Sequence, residues 1–150
     1  MSIDTRIVSS DWSVPELERL TQAERDALHE VDLGIERLHR AHGHLVAFHH
    51  NTGRGMEHLS AAEVGFRRAG HLDLANSHRD EYLPRGVTRV SESDDPTEGI
   101  WSYAILEGFQ SSFLDDILAF GETVHSQVAN GVRHLNERKQ EQEWKGRVIR

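Results

Sequence analysis

Histidine is the residue type in this chain that could do chemistry. It occurs 11 times in 150 residues, and seven of the histidines fall between His29 and His58. Because imidazole is the commonest metal ligand in proteins, this concentration suggests an iron or zinc site. Spacing limits the suggestion, since His42 and His49 are seven residues apart, about 10.5 Å along a helix and too far to share one ion. A metal ion would therefore have to be held between helices.

His39 and His42 form the one local pair among these histidines. They lie three residues apart, a spacing that places two side chains on the same side of a helix, and they need at least one further ligand from another helix. Glu63 and Asp116 are the carboxylates that could complete the shell. The predicted metal ligands are His39, His42, His49, Glu63 and Asp116. No residue is predicted to be catalytic.

A second metal pattern is Glu-x-x-His, which ferritin-like di-iron bundles carry on two helices. It occurs here at Glu36 to His39 and at Glu122 to His125. With 15 glutamates and 11 histidines, about one such spacing is expected by chance. Both glutamates also lie beside the apolar stripes of their segments. A metal-binding bundle, ferritin-like or otherwise, is therefore our alternative interpretation.

Two of the histidines interrupt an apolar stripe with seven-residue spacing. One position reads Leu28, Ile35, His42, His49, Met56 and Glu63, and the other reads Val31, Leu38, Leu45, Thr52, Leu59 and Phe66. We call these positions the seam, and their spacing indicates helices packed side by side. A seam histidine hydrogen-bonded to Thr52, Glu63 or Asp116 of a facing helix would fix register and oligomeric state. If buried and neutral, it would also make the assembly sensitive to acid.

The seam predicts a long first helix over residues 21–69. Thr21 and Glu24 have the spacing of a capping box, and Gly70 is suited to end the helix. Residues 51–55 contain two glycines that cost about 1 kcal/mol each in a helix interior, which favours a break. The seam nevertheless keeps its register across them, which favours a continuous or kinked helix. Small residues on it would let another helix approach closely: Gly34, Gly43, Gly53 and Gly65.

The remaining segments are read from their helix-start and helix-stop signals. Residues 1–20 form an N-terminal arm with a short helix that begins near Ser13. Residues 72–83 form a short helix that Pro84 ends, and Arg79 and Arg85 on either side of this proline could line a small anion pocket. Asp95 and the proline after it start a second long helix over residues 96–143.

These elements predict an all-α fold in a single helical domain over residues 1–150, with no strands. Two long amphipathic helices predict an antiparallel bundle. Each long helix buries only one strip in such a hairpin, which leaves a face that a second copy would cover. We therefore expect a homodimer.

Composition excludes several classes of function. The formal charge of −8 disfavours nucleic acid and anionic membranes as partners. The chain has no cysteine, no segment of about 20 apolar residues and no export signal over Met1 to Trp12, so we expect a cytoplasmic protein. Phosphate loops, nucleophile elbows, Rossmann glycine patterns and zinc-finger spacings are absent. We expect a non-enzymatic protein that self-associates, although an enzyme that uses interior His and Asp side chains is an alternative.

Three stretches carry a resemblance to a known family. They are Gly43 to His50, Arg79 to Val87 and Trp101 to Tyr103. Over roughly residues 35 to 135 the chain resembles an uncharacterised all-helical protein family of halophilic archaea. The resemblance implies an acidic, cytoplasmic, helical protein. That family has no known activity, so the resemblance transfers no functional residue.

Overall fold

The computed structural model describes residues 19–90 and 92–149. The protein is an all-α helical bundle, which confirms the predicted fold class. Its helices are α1 (Gln22–Arg68), α2 (Leu72–Ser77), α3 (Ser102–Gly108), α4 (Asp115–Ala129) and α5 (Leu135–Gly146), with π-helical turns at His78–Tyr82 and Phe109–Leu114. Within the described ranges the only β pairing is an isolated bridge between Thr88 and Ile100. The short helix predicted near Ser13 lies outside the described residues.

Helix α1 has 47 residues and begins at the capping box. The Thr21 Oγ1 accepts a hydrogen bond from the Glu24 amide at 3.1 Å, and the Glu24 carboxylate accepts one from the Thr21 amide at 3.1 Å. These reciprocal bonds satisfy amides that a helix start leaves unpaired. The helix ends before Gly70, whose φ of +86° is a left-handed conformation that glycine adopts without strain. Residues 51–55 lie inside this helix, so the chain does not break at the two glycines.

The glycines of α1 do not mark close helix contacts, contrary to the expectation from sequence. A Cβ atom added at Gly34, Gly43, Gly53 or Gly65 would meet no heavy atom within 4 Å. The close approach occurs instead at Gly121 on α4, where an added Cβ would lie 2.5 Å from Ile35 Cδ1. The small residue that lets α4 pack on α1 is therefore on α4.

Replacing Gly53 and Gly55 with alanine is expected to raise the free energy of unfolding by about 1 kcal/mol each. Both positions lie in a helix interior with open space around them, and alanine loses less backbone freedom on folding than glycine. Gly131→Ala is the control, because its φ of +80° strains any L side chain, and this change should destabilise. Urea denaturation measures all three, and a loss of stability in Gly53→Ala would contradict the prediction.

The prediction of a second long helix over residues 96–143 is wrong at both ends. Asp95 Oδ1 accepts hydrogen bonds from the Thr97 amide at 2.8 Å and from its hydroxyl at 2.7 Å. These bonds form a local turn that competes with helix capping, and the helix begins only at Ser102. It ends at Ala129, because Asn130 and Gly131 adopt left-handed conformations with φ of 49° and 80°. A separate helix, α5, follows at Leu135.

The predicted short helix over residues 72–83 is α-helical only to Ser77 and continues as a π-helical turn to Tyr82. A second π-helical turn, Phe109–Leu114, joins α3 to α4. Within this turn the Ser111 hydroxyl donates to the Glu107 carbonyl at 2.7 Å, and the Ser112 hydroxyl donates to the Gly108 carbonyl. Serine hydroxyls that bond to carbonyls four residues back disturb regular α-helix geometry. These serines therefore support the wider turn.

Although we expected one domain, the chain divides into two compact units. The described part of unit 1 comprises residues 19–37 and 116–149. Its core contains Leu20, Leu28, Ala129, Val132 and Leu135, with Val124 packed against them. Within this unit Asp32 contacts His125 and Ile35 lies against Gly121, so the paired helices run antiparallel.

Unit 2 comprises residues 38–115, with residue 91 not described. Here His42 lies against Phe109 and His49 contacts Ser102, which is again an antiparallel pairing. Phe66 near the end of α1 contacts the rings of His71 and His78. None of the described helices is long and apolar enough to cross a membrane.

Candidate functional site

The five predicted metal ligands do not come together. His39 and Asp116 are exposed, and Glu63 forms an ion pair with Arg67 at 3.0 Å. His42 and His49 are half-buried and contact other side chains, described below. In the described part of the chain no three His, Asp or Glu side chains are placed so that they could hold a metal ion. The described chain does not bring the five predicted ligands together, so this ligand set stays a prediction.

His42 packs against an aromatic side chain. Its ring is stacked on Phe109 with ring centroids 6.3 Å apart and an interplanar angle of 11°. Phe109 in turn contacts Phe113, with centroids 5.6 Å apart. The His42 Nε2 is buried and has no hydrogen-bond partner among the described residues. Among the described residues, His42 therefore lacks the polar partner that was predicted for it. The contacts of His42 are those of a packing residue.

His49 has a polar partner on a facing helix, as the structural interpretation predicted. The partner is Ser102, whose Oγ lies 2.8 Å from His49 Nδ1, and it is not among the residues that we considered. A serine and a histidine at this distance resemble a nucleophile and its base. Ser102 is buried, with 6% of its surface exposed. The pair connects α1 to the start of α3.

A further polar contact between distant residues involves His125, which sequence reasoning considered only as part of a di-iron pattern. Its side chain is 2% exposed, its Nε2 lies 2.7 Å from Asp32 Oδ1, and its Nδ1 lies 3.1 Å from the Val132 carbonyl oxygen. A carbonyl oxygen only accepts, so Nδ1 carries a proton. This assignment follows from the hydrogen-bond partners.

The His125 contacts connect three segments of unit 1: α1 through Asp32, α4, and the loop between α4 and α5 through Val132. Val132 is fully buried, and both ring nitrogens of His125 are occupied by protein partners. The ring therefore has no nitrogen free to bind a ligand or to exchange a proton with a substrate. Its role is to hold the loop and the two helices together.

A cavity of about 390 Å³ lies between the π-helical turn His78–Tyr82 and the loop that precedes α3. Its charged and aromatic lining side chains are Glu81, Tyr82, Arg85, Arg89, Asp94, Asp95 and Glu98. The predicted anion pocket of Arg79 and Arg85 is partly wrong, because the Arg79 Nε and Nη2 bind the two Asp80 oxygens at 2.7 and 2.9 Å. This hydrogen-bonded ion pair lowers the pKa of Asp80 below its usual value. Arg85 does line the cavity, together with Arg89.

Asp95, one of the carboxylates at this cavity, is hydrogen-bonded within the loop. The Thr97 amide and then the Thr97 hydroxyl donate to Asp95, and these bonds lower the pKa of Asp95 below its usual value. Asp95 is therefore ionised at neutral pH and holds the turn. The other lining carboxylates have no hydrogen bond or ion pair to a described residue.

Comparisons with known proteins found no family model that matches the chain. They also found no curated protein and no solved structure with significant similarity to it.

Proposed function

We propose that the protein is a non-enzymatic helical protein that self-associates through the part of the α1 seam that its own helices leave exposed, around Leu59, with a second copy of the chain as its partner. The observation that carries this proposal is the small amount of buried surface in unit 2. We expect the protein in the cytoplasm and without a nucleic-acid partner, because it lacks cysteine and its net charge is −8. The resemblance to halophilic archaeal proteins agrees with this expectation.

Unit 2 buries very few side chains. Among its described residues only Ala75, Ser102 and Leu114 are buried. Twelve of its large apolar side chains are exposed: Phe48, Leu59, Val64, Leu72, Leu74, Tyr82, Val87, Val90, Ile100, Trp101, Tyr103 and Phe113. A unit of this size depends on apolar burial to offset its loss of conformational entropy. Three buried residues are too few, so a further surface must cover part of these side chains.

Helix α1 provides the surface that a second copy fits best. Leu28 is its only buried residue, and the seam residues from Val31 to Phe66 are half-buried except for Leu59, which is 43% exposed. Glu63 is the one acidic seam residue, and Arg67 pairs with it at 3.0 Å. Elsewhere the acidic surface repels another copy of itself. Symmetric pairing of this surface is the usual way in which one chain covers such a face.

Size-exclusion chromatography with light scattering tests the proposal. At micromolar concentration we expect twice the chain mass of 17.1 kDa. Leu59→Glu should weaken the association by on the order of a hundredfold, because it places a charge in the apolar contact. Ala61→Glu is the matched control, since it adds the same charge at an exposed position of the same helix two residues away. We expect it to leave the association unchanged.

Two results would contradict the proposal. A wild-type chain that is monomeric at micromolar concentration would exclude self-association as its function. A dimer that Leu59→Glu leaves intact would exclude the seam as the interface. Circular dichroism of each variant shows whether its helix content is unchanged.

A further inference from the structure

We propose that the cavity lined by residues within 81–90 and 93–99 binds a basic amino acid, with the ligand carboxylate on Arg85 and its cationic groups toward the surrounding acidic side chains. The inference does not depend on self-association, because every residue that it uses lies within one stretch of a single chain. The observation behind it is that Arg85 is half-buried and has no hydrogen bond or ion pair to a described residue.

Arg85 lacks the partner that a half-buried charge normally has. Its guanidinium lies over the Tyr82 ring, 5.8 Å from the ring centroid, and no hydrogen bond or ion pair connects it to a described residue. Stacking on an aromatic face leaves the N–H groups at the edge of the guanidinium free. These groups form a planar fork that matches the two oxygens of a carboxylate. Arg89 lines the same cavity and is also unpaired there.

The acidic side chains of the cavity define the rest of the ligand. Glu81, Asp94 and Glu98 are exposed carboxylates with no partner in the described chain. Together with Asp95, the lining contains four carboxylates and two guanidinium groups, so its net charge is −2. A phosphate or dicarboxylate would be repelled by this excess, and a simple amine would leave Arg85 without a partner. A ligand with one carboxylate and two cationic groups matches both requirements.

The cavity is held open by backbone contacts rather than by side chains alone. The Val87 amide donates to the Ile100 carbonyl at 2.8 Å, and the Ile100 amide donates to the Thr88 carbonyl at 2.8 Å. Gly86 has a φ of +69°, and Gly99 packs directly on the Arg85 backbone. A preformed wall lowers the entropy cost of binding. The volume of about 390 Å³ is at the small end of ligand cavities, which fits an amino acid rather than a nucleotide.

Isothermal titration calorimetry of the full chain with L-arginine tests the proposal. We expect one L-arginine per chain. Agmatine, which lacks the carboxylate, and L-citrulline, whose side chain is neutral, should each bind at least about tenfold more weakly, because each loses one charged contact. Arg85→Gln should weaken L-arginine binding by at least about tenfold. Arg79→Gln is the matched control, because Arg79 binds Asp80 and does not line the cavity.

Several outcomes would overturn the assignment. Absence of heat at about 20 mM L-arginine, far weaker than the affinities that ligand sites normally reach, excludes the site. Equal binding of agmatine and L-arginine would mean that the acidic side chains bind any cation and that Arg85 has no role. If Arg85→Gln loses helix content, amide NMR spectra of the wild-type chain locate the binding site instead of this variant. L-arginine must then shift amides within residues 81–99, and shifts elsewhere or none at all overturn the proposal.

Discussion

Replacing His125 with alanine is expected to lower the free energy of unfolding by about 3–5 kcal/mol. The change removes a fully buried ring and leaves a cavity. It also removes the contact with Asp32, whose side chain is 35% exposed, and leaves the Val132 carbonyl oxygen without its donor. A buried acceptor that loses its donor costs about 1–3 kcal/mol, in addition to the cost of the cavity. Denaturation in urea, followed by circular dichroism, measures the loss.

Two further variants separate the contact with Asp32 from the packing of the ring. Asp32→Asn keeps an oxygen that can accept from His125 Nε2, so we expect a loss of about 1–2 kcal/mol. His58→Ala removes an exposed histidine of α1 and should change stability by less than about 0.5 kcal/mol. Amide exchange should accelerate in unit 1 around Val132 when His125 is removed. A loss below about 1 kcal/mol in His125→Ala would show that the ring is not the structural centre of this unit.

The helical class and helix α1 were predictable because both depend on local pattern. The seven-residue repeat from Leu28 to Phe66 is independent of the rest of the chain, and the capping box at Thr21 acts within four residues. The continuity of α1 through residues 51–55 also follows from the register. Each of these features relies on interactions between residues close in sequence, which a single chain displays directly.

The start of the second long helix was misjudged for a physical reason. An aspartate before a proline and a threonine is equally suited to cap a helix and to form a local turn. At Asp95 the turn forms, because the Thr97 amide and hydroxyl both bond to one carboxylate oxygen. The residues after Thr97 lead to Ile100, which pairs with Thr88 in the isolated bridge. No local pattern distinguishes these outcomes.

The polar contacts were less predictable than the helices because they join distant residues. Asp32 and His125 are 93 positions apart in sequence, and His49 and Ser102 are 53 apart. Helical spacing identifies which side chains share a face, but it does not identify the residue opposite them. The histidine repeat on α1 therefore predicted correctly that His49 has a partner on a facing helix and gave the wrong partner. For the contact between Asp32 and His125, the sequence offered one indication, which is that Asp32 directly follows the seam residue Val31.

Replacing Gly99 with alanine is expected to lower the free energy of unfolding by about 2–3 kcal/mol and to release the loop before α3. An added Cβ would lie 1.7 Å from the Arg85 carbonyl oxygen and 3.0 Å from the Thr88 carbonyl oxygen. Both atoms belong to backbone that the bridge to Ile100 fixes, so no side-chain rotation relieves the overlap. Denaturation in urea measures the loss, and faster amide exchange at Ile100 locates it.

Gly121→Ala is the matched control for Gly99→Ala. Its added Cβ would meet only the terminal methyl of Ile35, at 2.5 Å, and this methyl can rotate away. Alanine also has the higher helix propensity, so the two effects should nearly cancel, to within about 1 kcal/mol. The difference between the two glycines follows from what each one contacts, fixed backbone in one case and a flexible side chain in the other. Equal losses in the two variants would contradict this explanation and would mean that the Arg85 backbone moves aside at little cost.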